Sequence, residues 1–267
     1  MVKQLAPVIL KLGGSVITVK DKPFTPNTAI MKRVAEEISE AGLKSLVVVH
    51  GGGSFGHPVA KEYFIADGYK NQEQLMGFSK TRQAMMTLNK LLVDAFIEKG
   101  LPAVSMQPSA FIMTEKSRIT EIDSTIVERL ISIQTIPILF GDAVLDTKIG
   151  FTILSGDQIV ASLAIALKAE RIVMCVDVDG LYSEDPKVNP KAEFIERMTL
   201  GELRMLLGKI GKSQAVDVTS GMYGKIVELI PAIESGINVK ILNGRKAGCL
   251  YKALTNENVK NTAILGG

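Results

Sequence analysis

The sequence has few of the residues on which several common classes of protein depend. Its 267 residues include no tryptophan, only 5% aromatic residues, two cysteines and two histidines. Two cysteines cannot form a disulfide framework or a four-ligand zinc site. So few aromatic residues also disfavour a surface that stacks single-stranded bases. We therefore expect neither a disulfide-rich protein nor a nucleic-acid-binding one.

Charge also argues against a nucleic-acid-binding protein, and hydropathy excludes a membrane-spanning one. Lysine and arginine number 31 and aspartate and glutamate 28, a formal net charge of +3, which is too small to indicate nucleic acid as a partner. No uncharged stretch reaches the roughly 18 apolar residues that a membrane-spanning helix needs. With 46% hydrophobic residues, the composition is that of a globular protein. We expect a cytoplasmic protein with no membrane partner.

Strand and helix patterns alternate along the chain. Short apolar runs at 8–12 and 45–50 end in glycines, as buried parallel strands do. Between them, apolar residues at helical spacing predict a helix capped by Thr25, with Pro26 at its first position and Gly42 at its end. Further predicted strands lie at 103–106, 136–140, 171–176 and 238–242, a hairpin at 143–154, and helices through 75–92, 156–168, 200–207 and 222–235. This alternation predicts an α/β fold with an open, mostly parallel, doubly wound sheet and helices on both faces.

Glycine clusters stand where predicted strands or loops lead into helices. They occur at Gly13–Gly14, Gly51–Gly53, Gly156 and Gly221. At the carboxyl edge of a parallel sheet, glycine lets backbone N–H groups approach an anion. Four such clusters, two of them with a lysine nearby, indicate a phosphate-binding edge.

The segment His50–Pro58, His-Gly-Gly-Gly-Ser-Phe-Gly-His-Pro, fits parts of two nucleotide-binding motifs. Three of its glycines match the dinucleotide-binding fingerprint, but no acidic residue follows at the end of a convincing next strand. A P-loop needs Lys-Ser or Lys-Thr where His57 and Pro58 stand, and the segment Gly211–Ser213 lacks the obligatory first glycine. The sequence therefore supports neither a dehydrogenase nor a P-loop NTPase.

Two local features indicate anion chemistry more directly. Lys11 lies inside the first predicted strand, and a lysine in a buried strand is costly unless it reaches an anion. Ser155 and Gln158 have the spacing of a capping box, which would fix a helix whose positive end faces a phosphate. We therefore interpret Lys11 as functional and Ser155–Gln158 as the start of a phosphate-facing helix.

Six motifs in order along the chain resemble those of the amino acid kinase superfamily. They are Lys11–Ser15, His50–His57, Phe140–Asp142, Ser155–Asp157, Asp177–Tyr182, and Asp217–Met222 with Lys225. Within the superfamily, Gly-Gly-Gly-Ser-Phe-Gly-His resembles the isopentenyl phosphate kinases, which transfer the ATP γ-phosphate to isopentenyl phosphate in isoprenoid biosynthesis. The resemblance implies ATP and Mg²⁺ as cofactors and a homodimer. It also implies one domain, 1–267, with an acceptor-binding lobe at about 1–155 and a nucleotide-binding lobe at about 156–267.

The resemblance also implies roles for single residues. Lys11 contacts the transferring phosphate, Lys20 is the transition-state lysine, and His57 donates a hydrogen bond to the acceptor's phosphate. Asp157 either orients the lysines or helps to hold Mg²⁺, Asp142 has the same ambiguity, and no metal ligand is assigned. The residues implied for ATP are Lys11, Leu12, Gly13, Gly14, Ser15, Gly53, Asp177, Asp179, Tyr182, Gly221 and Lys225. Those expected at the acceptor are Gly52, His57 and Gly156 at its phosphate, and Phe78, Met85 and Met86 along its apolar tail.

Two alternative functions stay open at this stage. One is another kinase of the superfamily, similar to glutamate 5-kinase or UMP kinase, and the other is a non-catalytic nucleotide-binding sensor. The lack of an arginine pair near Gly51–Gly56 favours an apolar acceptor over a carboxylate. The presence of Lys11, Lys20, Asp157 and Lys225 argues against a sensor that has lost phosphoryl transfer.

Overall fold

The computed structural model describes residues 6–184, 186, 188–210 and 220–266. Its strands are β1 Val8–Leu12, β2 Leu46–His50, β3 Ala103–Ser105, β4 Ile112–Glu115, β5 Arg118–Ile122, β6 Ile136–Phe140, β7 Asp142–Asp146, β8 Gly150–Leu154, β9 Arg171–Val176, β10 Leu181–Tyr182, β11 Phe194–Ile195, β12 Arg197–Thr199, β13 Asn238–Asn243 and β14 Asn261–Leu265. Its α-helices are α1 Gly14–Ile17, α2 Thr28–Ala41, α3 Gly53–Glu62, α4 Glu73–Glu98, α5 Thr125–Ser132, α6 Gly156–Ala166, α7 Leu200–Ile210, α8 Ser220–Glu234 and α9 Cys249–Leu254. Short 3₁₀ turns lie at Ile65–Asp67 and Pro108–Ala110.

The central sheet has eight strands in the order β12-β14-β13-β9-β1-β2-β6-β3. From β13 to β3 all neighbouring strands are parallel, while β14 is antiparallel to β13 and parallel to β12. A four-stranded sheet, β5-β4-β7-β8, and the pair β10-β11 complete the β structure of the described residues. The predicted open, mostly parallel sheet is confirmed.

Alternate residues of β1 face opposite layers of helices. Ile9 belongs to a core with residues of α6 and α8, such as Leu163 and Leu229, while Leu10 belongs to a core with residues of α2 and α4, such as Val34. Strands that are apolar on both faces are typical of parallel sheets covered on both sides. Because side chains alternate along a strand, Lys11 lies on the α6 side with Ile9.

The sequence prediction was wrong about the start of α2. The helix is capped by Asn27, whose side chain accepts a hydrogen bond from the Ile30 amide at 3.3 Å. Pro26 lies before the helix and pairs with Thr18 in an isolated antiparallel bridge, so that Thr25 is too far upstream to cap. The predicted end is confirmed, because Gly42 closes the helix in the left-handed conformation, with φ at 60°.

One buried carboxylate fastens the tips of two hairpins in the smaller sheet. Asp146, at the end of β7, is 4% exposed. It accepts hydrogen bonds from the Thr114 hydroxyl at 2.9 Å and from the backbone amides of Lys116, Ser117, Lys148 and Ile149 at 2.8–3.1 Å. Burial opposes ionisation, but these amides outweigh it and hold the pKa of Asp146 well below its usual range.

The described helices were compared with the length and apolar character of a membrane-spanning helix. Among the residues that the structure describes, no helix combines the length and the apolar character needed to cross a bilayer.

Candidate active site

A cavity of about 680 Å³ opens at the carboxyl ends of the central strands. The residues that follow β1, β2, β6 and β9 all contribute to its wall. They are Gly13 and Gly14, Gly51 to Gly53, Gly141 and Asp142, and Asp177. This is the edge at which open α/β sheets bind ligands.

The glycine turns touch each other backbone to backbone. A Cβ added to Gly14 would lie 2.3 Å from the amide nitrogen of Gly53, and one added to Gly51 would lie 2.8 Å from that of Gly14. Where the turn after β6 meets the start of α6, a Cβ on Gly141 would lie 3.1 Å from the Gly156 nitrogen. At Gly14 and Gly51 no side chain fits without displacing a neighbouring turn, and at Gly141 the contact is tight. Glycine is therefore required here for close packing of the turns.

Thr18 ties the first two glycine turns together. Its hydroxyl donates to the Gly14 carbonyl at 2.7 Å and accepts from the Ser54 amide at 3.0 Å. Thr18 could not be identified from the sequence, because a single threonine after a short turn carries no pattern. Thr81 was also missed, although it lies one helical turn before Met85 on α4 and both line the cavity.

Helix α6 begins at the cavity. Its predicted cap at Ser155 is confirmed, but the predicted role of Gln158 in a capping box is wrong. The Ser155 side chain accepts from the Gln158 amide at 3.2 Å, as a capping serine does. The Gln158 side chain does not complete the predicted capping box. Its oxygen accepts from the Ile119 amide at 2.7 Å and its nitrogen donates to the Ser117 carbonyl at 3.2 Å, because the start of β5 and the residue before it offer these backbone groups.

Asp157, in the first turn of α6, binds two lysines from distant parts of the chain. One carboxylate oxygen accepts a hydrogen bond from Nζ of Lys11, and the other lies 3.6 Å from Nζ of Lys225. Lys11 is only 2% exposed. Burial lowers the pKa of Lys11, and the charge of Asp157 opposes this effect. Burial would raise the pKa of Asp157, but the two lysines outweigh it and lower the pKa, so Asp157 is an anion at neutral pH.

His57 lies in the second turn of α3 and lines the cavity beside Gly52. A Cβ on Gly52 would lie 3.3 Å from Cδ2 of His57 and 3.1 Å from Sδ of Met85. Burial lowers the pKa of His57, and the charges of Lys225 and Lys11 lower it further. The imidazole is therefore neutral at neutral pH and has one N–H to donate.

The residues predicted for ATP fall into two groups. Lys11, Gly13, Gly14, Ser15, Gly53, Asp177, Tyr182 and Lys225 line the cavity. Leu12 is fully buried in the α2–α4 core and is not part of the cavity wall. Asp179 also lies outside the wall, with its carboxylate 2.7 Å from Nζ of Lys246 and 3.4 Å from Nζ of Lys260. Gly221 is the second residue of α8, and residues 217–219 of the same motif lie outside the described part of the chain.

Lys20 and the predicted acceptor residues are distributed differently. Lys20 is exposed at the cavity wall, and Gly52, Gly156 and Met85 also line the cavity. Phe78 packs against Phe151, with ring centroids 5.1 Å apart, and Met86 is 50% exposed. Neither of these two described residues forms part of the wall.

Asp142 is the second carboxylate for which the sequence left the role open. It lines the cavity and is 1% exposed. Its oxygens accept from the backbone amides of Ser109 at 3.2 Å and Ala143 at 2.9 Å, and burial raises its pKa. Within the described ranges, no three His, Cys, Asp or Glu residues lie close enough together to hold a metal ion.

Comparison with known proteins agrees with this geometry. The sequence profile of the amino acid kinase family matches residues 6–243. The isopentenyl phosphate kinase of Methanothermobacter thermautotrophicus is 40% identical over 97% of this chain and 99% of its own, and that of Methanocaldococcus jannaschii is 36% identical over 96% and 97%. An X-ray structure of isopentenyl phosphate kinase superposes with a TM-score of 0.85 at 37% identity, covering 96% of this chain and 99% of its own. The chain belongs to the amino acid kinase family and, within it, to the isopentenyl phosphate kinases.

Proposed function

We propose that this protein transfers the γ-phosphoryl group of ATP to isopentenyl phosphate and so forms isopentenyl diphosphate. The observation that carries the proposal is the composition of one cavity. The ammonium groups of Lys11, Lys20 and Lys225, backbone turns of glycine and a neutral imidazole all line it. Phosphoryl transfer needs positioning and neutralisation of charge more than covalent chemistry, and this cavity provides both.

The acceptor itself supplies the nucleophile. The second pKa of a phosphate monoester is about 6, so that its oxygen is largely ionised at neutral pH and no general base is needed. This oxygen attacks the γ-phosphorus, a new P–O bond forms, and the bond from the γ-phosphorus to the bridging oxygen of ADP breaks. ADP leaves with the electron pair, and no proton has to move.

The lysines reduce the repulsion between the two anions. Asp157 holds Lys11 and Lys225 on one carboxylate, and we assign Lys11 to the transferring phosphoryl group and Lys225 to the nucleotide phosphates. Lys20, which is exposed at the wall, is assigned to the transition state. Asp157 is a positioning residue in this proposal, since both of its oxygens face ammonium groups.

The acceptor end of the cavity is assigned to the side of His57. Its neutral imidazole would donate to the acceptor's phosphate, with the Gly52 and Gly53 amides beside it. Met85 and Ile153 provide apolar wall nearby, which suits a short hydrocarbon tail. Phe78 and Met86 have no contact with the tail in this arrangement.

Mg²⁺ is assigned no protein ligand. The described residues do not form a metal cluster, and both oxygens of Asp157 are engaged by lysines. Mg²⁺ commonly binds through substrate phosphates and keeps several waters, so we treat it as part of the MgATP substrate. The homodimer, the cytoplasmic location and the division into lobes at about 1–155 and about 156–267 stay proposals.

Coupled measurement of ADP release tests the function. MgATP with isopentenyl phosphate should give turnover well above the rate with MgATP alone, and it should exceed turnover with glutamate or UMP as acceptor. Higher turnover with glutamate or UMP would assign the chain a different acceptor. Tight ATP binding without ADP release for any of the three acceptors would indicate a nucleotide sensor.

A further inference from the structure

His50 is a buried histidine that the proposed chemistry does not use. It ends β2 and is fully buried behind the cavity wall. Both ring nitrogens have a neighbour, since Nδ1 lies 3.0 Å from the Gly51 carbonyl oxygen and Nε2 lies 3.1 Å from Nδ2 of Asn89. The ring stacks on Phe140, with centroids 5.5 Å apart. A fully buried imidazole with a hydrogen-bonding neighbour at each ring nitrogen, next to the glycine turn that lines the cavity, needs a physical explanation.

The contacts of Asn89 determine which ring nitrogen carries the proton. Nδ2 of Asn89 also lies 3.4 Å from the Ile138 carbonyl, which can only accept, and Oδ1 accepts from the Ser105 hydroxyl. The Asn89 amide therefore donates to Nε2 of His50, which must be unprotonated. The proton is then on Nδ1, where it faces the Gly51 carbonyl. Burial lowers the pKa of His50 to about 4, so the ring is neutral at neutral pH.

The hydrogen bond to Gly51 sets the direction of the next amide. In a trans peptide the C=O and N–H bonds point in opposite directions, and the described residues contain no cis peptide bond. The peptide bond between Gly51 and Gly52 has its carbonyl held towards the His50 ring. Its N–H, which belongs to Gly52, therefore points away from that ring. Gly52 lines the cavity next to His57, and its amide donates to no other described residue.

Glycine-rich turns need such an external constraint. A glycine backbone has more accessible conformations than that of any other residue, so a run of three glycines does not orient its own amides. We propose that His50 is a positioning residue for the acceptor phosphate, because its Nδ1–H, fixed by Asn89, holds the Gly51 carbonyl and directs the Gly52 amide into the cavity. The proposal rests on the proposed function only in naming the phosphate as that of the acceptor.

The tautomer can be measured without any assay of activity. The chain has two histidines, so ¹⁵N-histidine labelling gives two ring systems in long-range ¹H–¹⁵N spectra, and His57→Gln leaves that of His50 alone. At pH 7 we expect a protonated Nδ1 and an unprotonated Nε2. Asn89→Asp places an acceptor opposite Nε2 and should move the proton there. An Nε2–H tautomer or a cationic ring in the otherwise unchanged protein overturns the proposal.

Kinetics then separate positioning from packing. His50→Asn keeps an N–H donor near the place of Nδ1, whereas His50→Leu removes the donor and fills more of the space beside Phe140. We expect the acceptor KM to rise about tenfold in His50→Leu and less than about threefold in His50→Asn, with the KM for ATP nearly unchanged in both. A packing role predicts the opposite order, because asparagine leaves the larger void, and that order would refute positioning.

Failure of the two proposals can be told apart. If the unchanged protein does not phosphorylate isopentenyl phosphate, the proposed function fails while the tautomer measurement still reports on His50. If it does phosphorylate isopentenyl phosphate and the His50 ring carries its proton on Nε2, only the positioning role fails. Melting temperatures of the variants show whether each one is folded under the conditions of the assay.

Discussion

Lys11 and Asp157 lie 146 positions apart in the sequence and form a buried ion pair in the cavity wall. Lys11 lies on β1, and Asp157 lies in the first turn of α6. The second oxygen of Asp157 faces Lys225 of α8. One carboxylate therefore holds two ammonium groups close together in spite of their mutual repulsion, next to backbone turns that are open to an anion.

Loss of the buried lysine should affect turnover most. We expect Lys11→Met to lower kcat for isopentenyl phosphate by about 100-fold or more, the usual effect of removing one donor to the transition-state charge. Lys80→Met is the matched control, because Lys80 contacts the Tyr63 hydroxyl at the surface and should leave kcat nearly unchanged. A kcat for Lys11→Met close to that of the control would remove Lys11 from the mechanism.

Loss of the imidazole in the cavity should affect acceptor binding. We expect His57→Ala to raise the KM for isopentenyl phosphate by about tenfold or more, since a hydrogen bond to a charged group contributes about 1.5–3 kcal/mol. ATP affinity, measured by titration calorimetry, should not change. Equal weakening of ATP binding would place His57 at the nucleotide instead.

The low pKa of His50 predicts a pH-dependent stability. The unfolded histidine has a pKa of 6.5 and the folded one a pKa of about 4, so the unfolded state binds the extra proton between these values. Stability therefore falls as pH drops from about 6.5 to about 4, by about 3 kcal/mol from this residue. Urea unfolding at several pH values should show this loss in the unchanged protein and not in His50→Asn. Parallel pH profiles for the two proteins would contradict the assignment.

The contact between the glycine turns should not tolerate a methyl group. In Gly14→Ala the new Cβ would lie 2.3 Å from the Gly53 nitrogen, so the two turns must separate and the amides around the phosphates move. We expect a lower melting temperature and a loss of at least about tenfold in kcat/KM. Gly208→Ala is the control, because a Cβ there meets nothing within 4 Å. It should leave activity unchanged and stability equal or up to about 1 kcal/mol higher.

Asp146 should matter for stability rather than for catalysis. Asp146→Ala leaves four backbone amides and the Thr114 hydroxyl without their acceptor, and we expect a loss of about 3 kcal/mol or more in urea unfolding. Asp123→Ala removes an exposed carboxylate that accepts from the Thr125 amide and should cost about 1 kcal/mol or less. Similar losses for the two variants would mean that the hairpin tips hold together without Asp146.

Elements with a continuous apolar pattern could be predicted from the sequence, and most of those with a mixed pattern could not. The strands β1, β2, β6 and β9 and helix α6 were predicted within two residues of their observed bounds, since each has a clear apolar pattern. Helix α4 was predicted through 75–92 but continues to Glu98. The hairpin of β4 and β5 and strand β14 were missed, because polar residues interrupt their apolar runs. Helix α5 was also missed, although Ile126 and Leu130, and Val127 and Ile131, have the i, i+4 spacing of an amphipathic helix. The cap of α2 was misplaced because Thr25 and Asn27 are both good capping residues, and only the bridge between Thr18 and Pro26 decides between them.

The sequence by itself determined the sheet, the glycine turns at its carboxyl edge, and the chemistry of a phosphate site, because apolar periodicity and glycine act locally. Only the tertiary structure decided which charges meet there. It paired Lys11 with Asp157, placed Asp179 with surface lysines instead of in the cavity wall, and left Phe78 and Met86 outside that wall. It also gave His50 the partners that fix its proton. Such contacts join residues far apart in the chain, and their energies depend on burial and on distances of a few ångströms, which no local pattern encodes.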